Sequence, residues 1–285
     1  MKHHKIRQYQ GCKVAFLTKH GKQNVVRSPL ESALGCKLIH TDKYDTDQLG
    51  TFTRETERLG SQLAAARKKA EIGMKLMGVH AGLASEGAFG PDPYAGMVTW
   101  NTELLLWVDN HKGIEVSGIA QGPAQSIHRS VRNLGELENF ALFALFPEHQ
   151  LVMRPQHQDD PRITKDIKTR DQLLEAFSAC KAESGNGLVF IENDLRAFAN
   201  PTRQEMIAKA AANLVEKLLS QCPKCESPGY WIKDFLPSLP CRLCAHKTRV
   251  PTAEIWECIA CKHKATELLP VGQWADPRRC DYCNP

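Results

Sequence analysis

Cys222-Pro223-Lys224-Cys225, Cys241-Arg242-Leu243-Cys244, Cys258-Ile259-Ala260-Cys261 and Cys280-Asp281-Tyr282-Cys283 stand in series at residues 222–285. A Cys-x-x-Cys turn aims two sulfurs at one point. Two such turns complete a tetrahedron of thiolates, which suits Zn2+, an ion with no geometric preference from its d-electrons. The spacers 226–240 and 262–279 hold 15 and 18 residues, both in the zinc-ribbon range. Disulfides and an iron–sulfur cluster are the competing chemistries. Four pairs at ribbon spacing argue for two structural Zn2+ ions, held by Cys222, Cys225, Cys241, Cys244, Cys258, Cys261, Cys280 and Cys283. Eight thiolates satisfy two ions without His246 or His263, and all-sulfur sets with no open position are structural rather than catalytic. The loops allow consecutive pairing (first motif with second, third with fourth) or interleaved pairing (first with third, second with fourth). Consecutive pairing closes the shorter loops and is the expectation.

The chain has 285 residues, 42% hydrophobic and 24% charged, enough for one sizeable core at 1–220 ahead of a small ribbon module at 221–285. A net charge of +5 permits a polyanionic partner without demanding one. Eight of the 11 cysteines lie in the paired motifs; Cys12, Cys36 and Cys180 are scattered. That usage fits metal-bound thiolates in a reducing cytoplasm. Met1–Gln10 is polar and basic, with no signal-peptide core, and the apolar run Leu104–Val108 is too short to span a bilayer, so no membrane partner is expected.

Upstream of the cysteines the pattern is α/β: a mixed sheet with flanking helices. Val14–Leu17 reads as a buried strand, Thr18-Lys19-His20-Gly21-Lys22 as a basic turn, and Asn24–Leu34 as a helix containing Pro29. Strand, basic turn and helix make an anion site, since free N–H groups and the helix dipole face the turn. Thr18, Lys19 and Lys22 are its candidate phosphate contacts. Ser61 caps the clearest helix, reaching Met77, with Leu63, Ala66, Ala70, Met74 and Met77 on one face and Arg67, Lys68, Lys69 and Lys75 on the rest. Arg67 is a further phosphate candidate. Glu86, alone among small residues at a strand end, could offer an oxygen to Mg2+. Residues 154–170 read as a polar surface excursion. Arg196 and Arg203 bracket the start of a helix running through Leu219. Two cations at a positive helix end call for an anion, so both are phosphate candidates.

Three stretches and the tail carry a resemblance. They are Thr46–Glu55, Leu83-Ala84-Ser85-Glu86-Gly87-Ala88-Phe89-Gly90-Pro91-Asp92-Pro93, Asp194–Arg203 and the closing Cys280–Pro285. Together they look like an uncharacterised bacterial domain-of-unknown-function family with this double-ribbon tail, which implies no activity. The first 125 residues are also similar in layout to the inosine/xanthosine-triphosphate pyrophosphatases, especially their non-canonical purine branch. The matching features are Thr18–Lys22, then Glu55-Thr56-Glu57-Arg58-Leu59-Gly60 before the Ala/Arg/Lys-rich helix, then Ser85-Glu86-Gly87 and the Asp109–Gly113 hairpin tip. The family's loop asparagine is missing here. This resemblance implies a Mg2+-dependent hydrolase of nucleotides or a related phosphorylated substrate. Glu55, Glu57 and Glu86 would carry the metal and catalysis, and Lys19, Lys22, Arg196 and Arg203 would hold phosphates. The alternative is a non-enzymatic protein that grips nucleic acid or a protein partner through its ribbons, where Arg242, Lys247, Arg249, Lys262 and Lys264 are available.

Overall fold

The computed structural model describes residues 8–46, 60–270 and 272–285. The chain divides into two compact units: one of Arg7–His111 and Ser117–Val215, the other including Lys112–Val116 and Glu216–Pro285.

β1 (Lys13–Leu17) is buried from its second residue on. α1 (Gln23–Leu34) turns Val26, Leu30 and Leu34 inward at i, i+4, i+8 spacing. It ends at Gly35, whose left-handed backbone (φ 70°) lets its N–H reach Glu31 O. Pro29 stays inside the helix without ending it. β2 (Lys37–Thr41) pairs parallel to β1. α2 (Gln62–Met77) is capped by Ser61, whose side chain accepts the Ala64 N–H as the sequence predicts.

α2 carries the chain past β1 to β3 (Ala81–Pro91), which pairs parallel to β1 on its other side. β4 (Thr99–Asp109) runs antiparallel to β3, and β5 (Ile114–Pro123) completes the order β2-β1-β3-β4-β5. α2 covers one face of this sheet, where Ala66, Ala70 and Met74 pack on Ala15, Ala84, Leu104, Leu106 and Val108.

A second sheet, antiparallel throughout, follows. It holds β6 (His128–Val131), β7 (Leu151–Pro155), β8 (Thr164–Ile167) and β9 (Val189–Asn193) in the order β6-β9-β7-β8. α3 (Leu134–Phe143) and α4 (Arg170–Glu183) close a core of its own around Leu137, Phe140, Leu151, Met153, Phe177 and Ile191. The sequence predicted one main core and an irregular stretch at 154–170. The described residues of that part hold two sheets, and β8 lies within that stretch. β8 is an edge strand burying only Ile167, so it gives no alternation to read.

α5 (Pro201–Leu219) brings Arg203 to Glu103, on the face of the first sheet opposite the one where Leu104 packs with α2. At Gly118 a Cβ would collide with Ala210 O and sit 2.5 Å from Leu214 Cβ, so only glycine admits the helix this close. Asn200 caps α5, its Oδ1 accepting the Arg203 N–H at 3.0 Å. The cysteine-rich end holds a three-stranded antiparallel sheet of β10 (Tyr230–Pro237), β11 (Pro251–Cys258) and β12 (Lys264–Leu268), in that order. Among the described residues no helix is long and apolar enough to cross a membrane.

Candidate functional site

Two thiol tetrads form, and they interleave: Cys222, Cys225, Cys258 and Cys261 in one, Cys241, Cys244, Cys280 and Cys283 in the other. Sγ–Sγ separations are 3.7 Å (Cys222–Cys261), 3.6 Å (Cys225–Cys258), 3.9 Å (Cys241–Cys283) and 3.6 Å (Cys244–Cys280). A tetrahedron with metal–sulfur bonds of about 2.3 Å has edges of about 3.8 Å, so either set fits Zn2+. All eight predicted ligands are therefore placed in fours, but the expected consecutive pairing is wrong.

The sheet explains the error. β10 leaves the first motif and β11 ends at the third, and their register sets Tyr230 opposite Cys258. The odd-numbered motifs thus share one end of the hairpin. The second lies in the β10–β11 connection, and β12 returns the chain to that end for the fourth. Interleaving roughly doubles each closed loop, which costs only about 0.6 kcal/mol per doubling. The strand pairing outweighs so small a penalty.

All four motifs share a backbone device. The residue after the second cysteine donates its N–H to the first cysteine's O: Glu226 to Cys222, Ala245 to Cys241, Lys262 to Cys258 and Asn284 to Cys280. The first three of these take a left-handed backbone, with φ of 58°, 61° and 61°. None is glycine, and for that reason the sequence does not advertise the turn. Burial pushes the Cys222 thiol up, but N–H donation from Cys225 and Lys224 outweighs it and brings the thiol down to about 7. Cys241, opposite donors on Cys244 and Leu243, behaves the same way. Amide donors aimed at sulfur favour the thiolate that a metal needs.

A different kind of site lies in the first unit. The strand order reverses at β1: one crossover leads to β2 on one side, the next to β3 on the other. In open α/β sheets the crevice at the carboxyl ends of such strands is where ligands bind. Lys22 lies there within electrostatic reach of two ion pairs, Glu86 with Lys69 on the α2 side of the sheet and Glu103 with Arg203 on the α5 side. Lys22, Glu86, Glu103 and Arg203 are 6%, 4%, 0% and 2% exposed. Lys69, from α2, pairs with Glu86. Arg203 Nε meets Glu103 Oε1 at 2.7 Å, and Arg203 also donates to Leu195 O. Lys22 Nζ donates to Ser85 O at 2.9 Å and to Ser85 Oγ at 3.2 Å. Burial, and next the Arg203 charge, pull Lys22 down to about 7, against the opposing pull of Glu103 and Glu86.

The predicted residues sort into layers. Lys22, Glu86 and Arg203 are brought together. Lys19 lies further out, paired with Asp45 at 2.7 Å. Arg196 is held by Asp194 and Asp166 and stacks over Phe198 at 4.7 Å. The Phe198 ring is also 6.2 Å from His20, so the loop after β1 meets the approach to α5. Both arginines at the α5 start thus have a carboxylate of the chain's own, Asp194 and Glu103, in place of the external anion the sequence suggested. Thr18 is buried, its O bonded to His40 Nε2, and Arg67 is half-buried on α2. Glu55 and Glu57 lie outside the described residues.

Sequence reasoning missed Glu103 and took Lys69 for a surface cation. A carboxylate opening the apolar run Leu104–Val108 was the available signal. In the structure Gly87 lies opposite Glu103, and a Cβ there would collide with Arg203 Nη2 and Glu103 Oε1.

Residues 69–285 match the model of a domain of unknown function, DUF6671. The chain belongs to that family. The matched span takes in Lys69, Glu86, Glu103, Arg203 and both tetrads, and leaves Lys22 outside. No curated protein matches the chain.

Proposed function

We propose that this chain binds a phosphorylated small molecule of the nucleotide class at the carboxyl ends of β1 and β3, and hydrolyses a phosphoester or phosphoric-anhydride bond there, with two structural Zn2+ ions stapling the cysteine-rich end. The observation that carries the reading is the buried cluster of Lys22, Lys69, Glu86, Glu103 and Arg203 at the point where the strand order reverses. Burying five charges costs several kcal/mol per ion unless they are matched, and such clusters concentrate at functional sites. Lys22 also sits at the N-cap of α1, where the helix dipole is positive. An anion relieves that arrangement and holds the ammonium protonated. Lys22 and Lys69 would contact the phosphate, and Ser85 would orient Lys22.

Mg2+ is the ion that hydrolases of this kind use to polarise a phosphoryl group. The described carboxylates do not suit it: Glu86 faces the Lys69 ammonium and Glu103 the Arg203 guanidinium. Among the described residues the clusters of three or more ligand groups are the two thiol tetrads. The reading therefore rests on the cations.

The test is phosphate and pyrophosphate release from a nucleotide panel with Mg2+, using zinc-loaded full-length protein, alongside calorimetric binding. Lys22→Met should abolish binding and release while leaving fold and zinc content intact. Binding without release from any nucleotide would refute hydrolysis, and no binding would refute the site.

A further inference from the structure

We propose that the surface around the second tetrad, Cys241, Cys244, Cys280 and Cys283, binds single-stranded nucleic acid. Arg242, Lys247, Arg249, Arg278 and Arg279 are all exposed there. Backbone hydrogen bonds and an ion pair hold them in one small cluster. Ala275 N–H donates to Pro240 O at 2.7 Å, and Arg242 N–H to Ala275 O at 3.0 Å, which ties the segment before the last motif to the second motif. Arg249 pairs with Asp281 at 2.9 Å, linking the fourth motif to the strand approach.

Carboxylates are few in this cluster. Asp276 caps the short turn 277–279 by accepting the Arg278 N–H, and Asp281 is the partner of Arg249. A zinc-loaded tetrad brings negative charge of its own. Its Cys241 and Cys280 members are buried, however, while the cations project outward.

Aromatic rings are interleaved with these cations. Tyr282 is 70% exposed and stacks on His246, with ring centroids 4.4 Å apart and planes 8° from parallel. The stack locks the tyrosine in place while the ring stays open to solvent. Trp274, one residue before Ala275, is 51% exposed. Rigid exposed rings among guanidinium groups are what unstacked bases and a phosphate backbone recognise. A duplex hides its base faces and an acidic protein offers none, so the rings favour a single strand. Lys262 and Lys264 do not belong to this face: they flank the third motif and β12, and Lys264 pairs with Glu257.

Fluorescence anisotropy of a labelled oligouridylate with the zinc-loaded full chain, across a salt series, tests this. Contacts from all five cations predict a log–log salt slope of about −3.5, at about −0.7 per phosphate neutralised on a single strand. Arg278→Glu with Arg279→Glu should weaken binding at least tenfold and flatten the slope by about 1.4. Tyr282→Ala should weaken binding about fivefold or more with the slope unchanged. Lys262→Glu with Lys264→Glu should bind as the parent does. Zinc content and circular dichroism identify a variant that has lost its fold, in which case Arg242→Ala with Lys247→Ala takes its place. No binding to the single strand, equal binding to duplex, retention by the arginine variants, or capture of an acidic protein in place of the oligonucleotide would each overturn the proposal.

Discussion

The interleaved tetrads predict which pairs of cysteine losses are redundant. Cys222 and Cys258 share one site, whereas Cys222 and Cys241 fall in different sites. A double change Cys222→Ser, Cys258→Ser damages one metal centre and leaves Cys241, Cys244, Cys280 and Cys283 complete. Cys222→Ser with Cys241→Ser damages both. Dividing the observed edges of 3.6–3.9 Å by the tetrahedral ratio of about 1.63 puts a central ion about 2.2–2.4 Å from sulfur, the zinc–thiolate length. Each structural zinc of this kind carries on the order of 10 kcal/mol of apparent binding free energy, so a three-sulfur remnant loses most of its ion under chelator competition. Elemental analysis after mild chelation should give close to two zinc per chain for the parent, close to one for the Cys222/Cys258 variant and close to none for the Cys222/Cys241 variant. The order matters more than the absolute values, because loss of one centre loosens the shared β10–β12 sheet. If the Cys222/Cys241 variant retained more metal than the Cys222/Cys258 variant, the interleaved assignment and the hairpin argument beneath it would fall.

Other outcomes follow from single positions. Gly87→Ala drives a methyl into the buried Arg203–Glu103 pair and should cost about 2–4 kcal/mol by urea denaturation; a loss under about 0.5 kcal/mol would contradict the packing. Lys22 titrates near 7 when folded and near 10.5 when unfolded, so the unfolded chain holds the extra proton between those values and stability from this group rises with pH across that window. Lys22→Met should flatten the rise measured between pH 7 and 9. In the parent, phosphate binding at pH 8 should take up close to one proton, seen as a buffer-dependent calorimetric heat. Ala245→Gly relieves a left-handed backbone and should raise stability by about 1 kcal/mol. Asp92 accepts N–H bonds from Tyr94, Ala95, Met97 and Val98, so Asp92→Ala should speed amide exchange at 94–98 while leaving β3 and β4 protected.

The sequence alone determined what depends on neighbours a few residues apart. The Ser61 cap of α2, the strand–turn–helix at Val14–Leu34 and the eight metal-directed thiols are of this kind. Helical periodicity, caps and Cys-x-x-Cys turns are local geometry, and they survived intact. The tertiary structure decided who meets whom. Cys258 joined Cys222, Glu103 met Arg203 across 100 residues of chain, and Lys69 turned inward to Glu86. Those partnerships follow from strand register and from the faces of one sheet that α2 and α5 cover. A charged residue looks alike in sequence whether its helix turns it to solvent or to a buried carboxylate. Only packing the layers together tells the two apart.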